Sequence, residues 1–297
     1  LVFAIKAALL PLHFWLPSAY ANAPAPVAAL FAIMTKVGAY AILRMFTLVF
    51  GPDVAATTGL SEAWLLPAAL LTLIAGAIGV LGSKKIGRVA AFGAIASMGT
   101  LLIAISLFTE TAAAAALYYL VHSTLAAALL FLVADLVVER QGPWIFVNKP
   151  MAQTGLISAL FFAAAIALTG MPPLSGFLGK LLVLDATRGA DLAAWIWSVI
   201  LVGSLITIIG MARAGSILFW KGHGLPSEEL QAPGDSGEAA VAERPAQLPF
   251  VACFALLGGL VALTVFAGPA THYAEATAAQ LYAPAEYIEA VLGKEAQ

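Results

Sequence analysis

Residues 1–44 read LVFAIKAALLPLHFWLPSAYANAPAPVAALFAIMTKVGAYAILR, and this stretch decides what kind of protein the chain is. It sets Lys6 and Lys36 inside runs that otherwise have the composition of membrane helices, with Pro11, Pro17, Pro24 and Pro26 between them. A charged side chain near the bilayer centre costs roughly 2.5–3.5 kcal/mol on insertion scales. Two such costs within one short stretch call for something that offsets them. One reading has both lysines snorkel, stems in lipid and ammonium groups in water. Lys6, near the start of its run, fits that reading. Lys36 does not, because about ten apolar or small residues flank it on each side, which at 1.5 Å per residue puts it near mid-depth.

The rest of the composition agrees. The chain is 62% hydrophobic and 10% charged, with repeated apolar runs of membrane-spanning length, so an all-α polytopic membrane protein is expected. A net charge of −2 without a basic stripe argues against a nucleic-acid partner. The single cysteine, Cys253, rules out an internal disulfide and a cysteine-based metal site. The four histidines show neither HxxxH nor HExxH spacing, so no metal and no cofactor is expected. The chain opens inside an apolar run with no charged leader, and is expected to be a C-terminal fragment of a longer protein.

Eight membrane segments are predicted. The first, 1–21, is interrupted near Pro11 and closed by the interfacial residues Trp15 and Tyr20. The second starts after Pro24 and Pro26 and ends near Arg44. The third to fifth run over 63–81, 89–108 and 112–138. The sixth, 153–186, is too long for one span and contains GMPPLSGFLGK, with Pro172, Pro173 and Gly176 just before Lys180. Proline cannot continue the helical ladder, so a broken helix is expected, its freed backbone satisfied by neighbours or a wet cavity. The seventh covers 193–219 and the eighth 248–267. In domain terms, 1–220 forms the main transmembrane unit, 221–247 a flexible loop rich in Gly, Pro and Glu, 248–268 the last spanning helix, and 269–297 a mildly amphipathic tail.

Alternating these segments collects Lys84, Lys85, Arg88, Arg140, Lys149, Lys221 and Arg244 on one side. Arg188 and Lys294 fall on the other, with Asp53, Glu62, Glu110 and Asp191. The positive-inside rule makes the first side cytoplasmic and the C-terminus external.

Lys6, Lys36 and Lys180 each sit on a segment with a break or a proline-marked end, and His122 lies inside a clean apolar helix. Lysine and histidine suit proton transfer, the first because burial tunes its proton affinity, the second because it already titrates near neutrality. A row of such groups joined by water is what a proton half-channel requires. His122 alternatively only bonds a neighbouring helix. Tyr118, Tyr119, Ser123 and Thr124 around it form a polar stripe that favours a hydrated pathway. His13, beside Trp15 and between two prolines, is a pathway candidate whose ordinary place would be the interface.

Three motifs then point to a family. They are K-x4-PLHFWLP-x5-APAPVAAL-x5-K-x-GAYAILR from Lys6 to Arg44, YYLVHSTLAAALLFLVADL at 118–136, and GMPPLSGFLGKLLVLDA at 170–186. In this order the chain resembles the antiporter-like subunits of Mrp-type cation/proton antiporters, complex I and membrane-bound hydrogenases. The later motifs, with ARAGSILFWK at 212–221, resemble the D-type subunits of the Mrp group.

The resemblance implies the second inverted repeat of a fourteen-helix fold, helices seven to fourteen, with 1–220 equivalent to helices seven to thirteen. It implies that Lys6 pairs with a glutamate on a fifth helix upstream of this sequence. It also implies that Lys36 is the central lysine, His122 the relay histidine and Lys180 the exit lysine. Many relatives carry a further lysine about a turn beyond the histidine; Ala127 stands here, so the link from Lys36 to Lys180 must lean on His122, hydroxyls and water.

The expected function is proton conduction in a multisubunit antiporter of a bacterial cell membrane. H⁺ and Na⁺ or K⁺ would be its cargo, the other antiporter subunits and the bilayer its partners, and the chain a transporter component rather than an enzyme. Two alternatives stay open: a proton-pumping subunit of complex I or a hydrogenase, and a scaffold whose lysines only snorkel or pair internally.

Overall fold

The structure, a computed structural model, describes residues 1–50, 60–224 and 248–293. Asp53, Arg244, Lys294 and nearly all of the 221–247 loop lie outside the described residues, as does the side chain of Glu62. Among the described residues the chain is helical: α1 (Val2–Lys6), α2 (Leu16–Asn22), α3 (Ala25–Leu48), α4 (Leu60–Gly82), α5 (Ile86–Ser106) and α6 (Glu110–Gln141). These are followed by α7 (Thr154–Thr169), α8 (Ser175–Ala186), α9 (Ala193–Gly215), α10 (Leu248–Val265), α11 (Ala267–Tyr282) and α12 (Ala285–Leu292).

Among the described residues, six helices are long and apolar enough to cross a membrane: α3, α4, α5, α6, α9 with its π-helical extension to Trp220, and α10. The two remaining expected segments are the broken ones, α1–α2 around Pro11 and α7–α8 around Pro172 and Pro173. The eight-segment reading therefore matches the observed architecture. The fifth segment starts earlier and ends later than its apolar run. Thr109 caps the start, its Oγ1 accepting from Ala112 N at 3.3 Å, and Gly142 ends the helix with a φ of 80°. Within the 269–297 tail, α11 packs on α6 and buries Ala274, Ala278 and Leu281.

α5 and α6 form the middle of the bundle. Almost every residue of α5 is buried, and α6 touches α3, α5, α7, α8, α10 and α11. Small residues permit this. A Cβ on Gly76 of α4 would lie 2.6 Å from Ala96 Cα, and one on Gly99 of α5 would lie 2.6 Å from Leu73 Cα.

Both breaks are satisfied locally. Where α1 stops, the Leu10 N–H donates to Thr72 Oγ1 of α4 at 2.9 Å, and the Trp15 indole donates to the Ile5 carbonyl at 3.1 Å. Backbone groups outside a regular helix are tolerated in a membrane only on such terms.

This packing makes two expectations for stability. Gly76→Val should lower stability by about 1–3 kcal/mol through overpacking, while Gly82→Ala, whose Cβ would meet nothing within 4 Å, should be near neutral. Thr72→Val keeps shape but leaves the Leu10 N–H without its acceptor, at a cost of about 1–3 kcal/mol. Thr264→Val, which removes only a bond to the carbonyl of its own helix at Leu260, should cost little. Thermal unfolding of the purified protein in detergent distinguishes these pairs.

Candidate functional site: a polar layer between two apolar cores

The buried apolar residues fall into two clusters that divide the bundle across its depth. On α3 one cluster takes Ala28 and Ala32 and the other Ala39, Ile42 and Leu43; Lys36 lies between them. On α6 the division falls between Tyr119 and Ala126, the interval that holds His122 and Ser123. On α5 it falls beside Ser97, and on α9 between Ile200 and Met211, the interval that holds Ser204 and Thr207. A layer of lysine, histidine and hydroxyl groups thus separates two oil-like halves at one level.

Lys36 is 0% exposed and occupies the middle of its helix, as the sequence required. Its Nζ donates to Ser97 Oγ at 3.2 Å, and Ser97 Oγ donates in turn to the Ala94 carbonyl at 2.8 Å. Among the described residues no carboxylate forms an ion pair with it. A fully buried ammonium on one neutral hydroxyl is costly relative to a paired one, by several kcal/mol.

Lys180 is half-buried and better held. Its Nζ donates to the Thr169 carbonyl at 2.7 Å and to Ser204 Oγ at 2.6 Å. The break explains the first bond: α7 ends at Thr169, its last carbonyls lack helical donors, and this negative helix end faces the ammonium. Side chains on a helix lean toward its N-terminus, so a lysine in the second turn of α8 reaches back to the break. Gly170, the left-handed residue after α7 with φ 78°, makes room, since a Cβ there would sit 2.6 Å from Lys180 Cδ.

His122 is buried, and its Nδ1 lies 2.9 Å from Ser175 Oγ, the first residue of α8. Gly176, expected only as a helix break, has a second role. A Cβ there would strike the Ala167 carbonyl and lie 2.8 Å from His122 Nε2. Gly179 likewise lets Tyr119 approach, its Cβ falling 2.9 Å from Tyr119 Cδ2. The Pro172–Pro173 break thus serves α6 as well as α8.

A small cavity, about 10 Å³ or room for roughly one water, lies among Ser97, Thr100, Tyr119, Lys180, Ser204 and Thr207. It brings the hydroxyl partner of Lys36 and the hydroxyl partner of Lys180 to one space. Ser97, Thr100, Ser204 and Thr207 were not among the residues expected from the sequence. Most of the expected lining residues are placed elsewhere. Tyr118 OH donates to the Leu263 carbonyl of α10 at 3.1 Å, while Ser123 and Thr124 hydroxyls return to the Leu120 carbonyl of their own helix at 3.2 and 2.8 Å. His13 sits in the irregular stretch between α1 and α2 with its Nδ1 buried and unpartnered among the described residues. Lys6 is exposed at the end of α1, whose backbone packs against Gly38 of α3, half a turn from Lys36.

The chain is similar to known proteins over nearly its whole length. The D-type component of the probable K⁺/H⁺ antiporter of Rhizobium meliloti (strain 1021) is 36% identical, covering 98% of this chain and 57% of its own length. The corresponding component of the Na⁺/H⁺ antiporter of Bacillus subtilis (strain 168) is 35% identical, covering 98% of this chain and 56% of its own. The chain therefore spans a little over half the length of these relatives. Among solved structures, the Mrp complex from Dietzia sp. DQ12-45-1b matches with a TM-score of 0.81 and 27% identity, over 98% of this chain and 60% of that one. Residues 1–207 match the family described as NADH:quinone oxidoreductase/Mrp antiporter, transmembrane, and that interval contains both broken helices and every lysine and hydroxyl of the polar layer. On this match, and on the identity it shares with these relatives over nearly all of its length, the chain belongs to this family of membrane proteins.

Proposed function

We propose that the chain is the proton-conducting second half of a D-type subunit in a multisubunit monovalent cation/proton antiporter, where H⁺ entry drives Na⁺ or K⁺ efflux. The observation that carries the reading is Lys36, wholly buried at mid-depth on one hydroxyl, with that hydroxyl and the Ser204 partner of Lys180 lining one water-sized cavity. Lys36 acts as the central proton carrier and Lys180 as the outlet. His122, joined to Ser175, is the bridge that sets the break beside them.

The relay is electrostatic. Inside a low-dielectric layer two ammonium groups repel far more than in water, so a proton arriving at Lys36 favours release from Lys180. Hydroxyls and a water between them can accept and donate in the same step, and each has the two roles that such a hop needs. Lys6 gates entry with an acidic partner from the part of the subunit upstream of this sequence. Its side chain is exposed at the end of α1, and the residue stands against Gly38 of α3.

In this reading the basic turns face the cytoplasm of a bacterial cell, the C-terminus is external, and the other antiporter subunits are the partners. The family description pairs antiporters with NADH:quinone oxidoreductases, so the runner-up is the same relay driven by redox chemistry elsewhere in a respiratory complex. Neighbouring genes separate the two: six or seven small antiporter genes, or genes for flavin and iron–sulfur proteins. In a scaffold the lysines would only snorkel or pair internally; Lys36, 0% exposed, does not snorkel, and among the described residues it has no carboxylate to pair with.

Lys36→Ala in the full-length subunit should abolish proton-coupled Na⁺ or K⁺ efflux in inverted vesicles while the complex still assembles; normal efflux from an assembled mutant contradicts the proposal. Ser97→Ala and Ser204→Ala should each slow exchange by about five- to tenfold, in line with roughly 1 kcal/mol per lost bond. Ser198→Ala, an exposed hydroxyl bonded only within its own helix, should leave exchange unchanged.

A further inference from the structure

The turn between α4 and α5 carries a second site, unrelated to the proton layer. A cavity of about 470 Å³ opens there among Ser83, Lys84, Lys85, Arg88, Phe92 and Trp144. Its size falls within the range of small-ligand pockets, roughly 300–1,000 Å³. Three of its walls are cationic and no carboxylate lines it. Among the described residues neither these cations nor Arg213 behind them forms an ion pair.

The turn is rigid. Arg213 Nη2 of α9 donates to the Ser83 carbonyl at 2.6 Å, Ile145 N donates to the Lys84 carbonyl at 2.8 Å, and Ile86 N donates to the Pro143 carbonyl at 3.0 Å. The Lys85 ammonium stands 4.5 Å from the centroid of the Trp144 ring, which holds it at the rim. Lys85 is also the residue before α5, so the positive end of that helix's dipole adds to the field of the cations.

The surroundings identify the ligand. Below the turn, α4 leaves Leu71 (54%) and Ile78 (58%) exposed on one face, and Trp144 is 50% exposed beside it. An apolar stripe running into a basic pocket with an aromatic at its edge matches an amphiphile, with chains along the helix and an anion at the turn. A free phosphate ion would use the cations but not the stripe.

We propose that this pocket binds the phosphate-bearing headgroup of an anionic membrane phospholipid, with its acyl chains along the Leu71–Ile78 face of α4. The bland account of Lys84, Lys85 and Arg88 is that they only fix topology. That account needs neither a pocket nor the clamp from Arg213. The proposal rests on membrane insertion and not on antiport, so failed transport tests would leave it standing.

The test uses the assembled complex containing the full-length subunit. After detergent exchange in a mixture of phosphatidylglycerol and phosphatidylcholine, native mass spectrometry should show phosphatidylglycerol retained preferentially on this subunit. Millimolar inorganic phosphate should not displace it. Lys84→Gln combined with Arg88→Gln should lower that preference about tenfold or more. Independently of any variant, a photoactivatable phosphatidylglycerol should label wild-type peptides spanning residues 71–92 or 143–146. Equal retention of the two lipids, displacement by phosphate, retention unchanged in the double variant, or labelling confined to other peptides would overturn the proposal.

Discussion

The ammonium of Lys36 and the single hydroxyl that receives it are the constraint around which this bundle is arranged. A charge at mid-depth must have an acceptor, and among the described residues only Ser97, at 3.2 Å, supplies one. For Ser97 to be there, α5 must be central and α3 must lie against it, and the small residues on α3, α4 and α5 allow that closeness.

The helix breaks answer the same requirement in a different way. At Pro172–Pro173 the end of α7 turns its Thr169 carbonyl toward Lys180, and the start of α8 turns Ser175 toward His122. An unbroken helix would have used the Thr169 carbonyl internally. The break frees backbone polarity at the level where a polar layer is needed, and the layer satisfies it. At Pro11 the freed groups go to Thr72 and Trp15, which leaves that break structurally closed on this side.

Much of this was legible in the sequence. A lysine in the middle of an apolar run and prolines beside glycines leave strong local signals, so the eight segments, both breaks, Lys36, His122 and Lys180 could be read directly. The hydroxyls could not. Ser97 sits in AIASMGT and Ser204 in VGSLIT, where a serine usually returns its proton to its own helix, as Ser123 and Thr124 do. What separates Ser97 and Ser204 from Ser123 is which helix faces them, a tertiary fact with no local sign. The demand of a buried lysine for a partner was the available clue, though it does not say where along the chain to look. Gly176 illustrates the reverse case: its place beside two prolines announced a break, while its contact with His122 depended on packing.

The proposed proton conduction requires that the layer between the two apolar cores be wet enough to carry protons between Lys36 and Lys180. Solid-state NMR of the ¹⁵N-lysine-labelled, full-length protein in its complex and in lipid bilayers measures this directly. The Lys36 and Lys180 Nζ signals should show cross-peaks to water and lose their protons to D₂O. A Lys36 signal without water contact that keeps its protons in D₂O would contradict the relay.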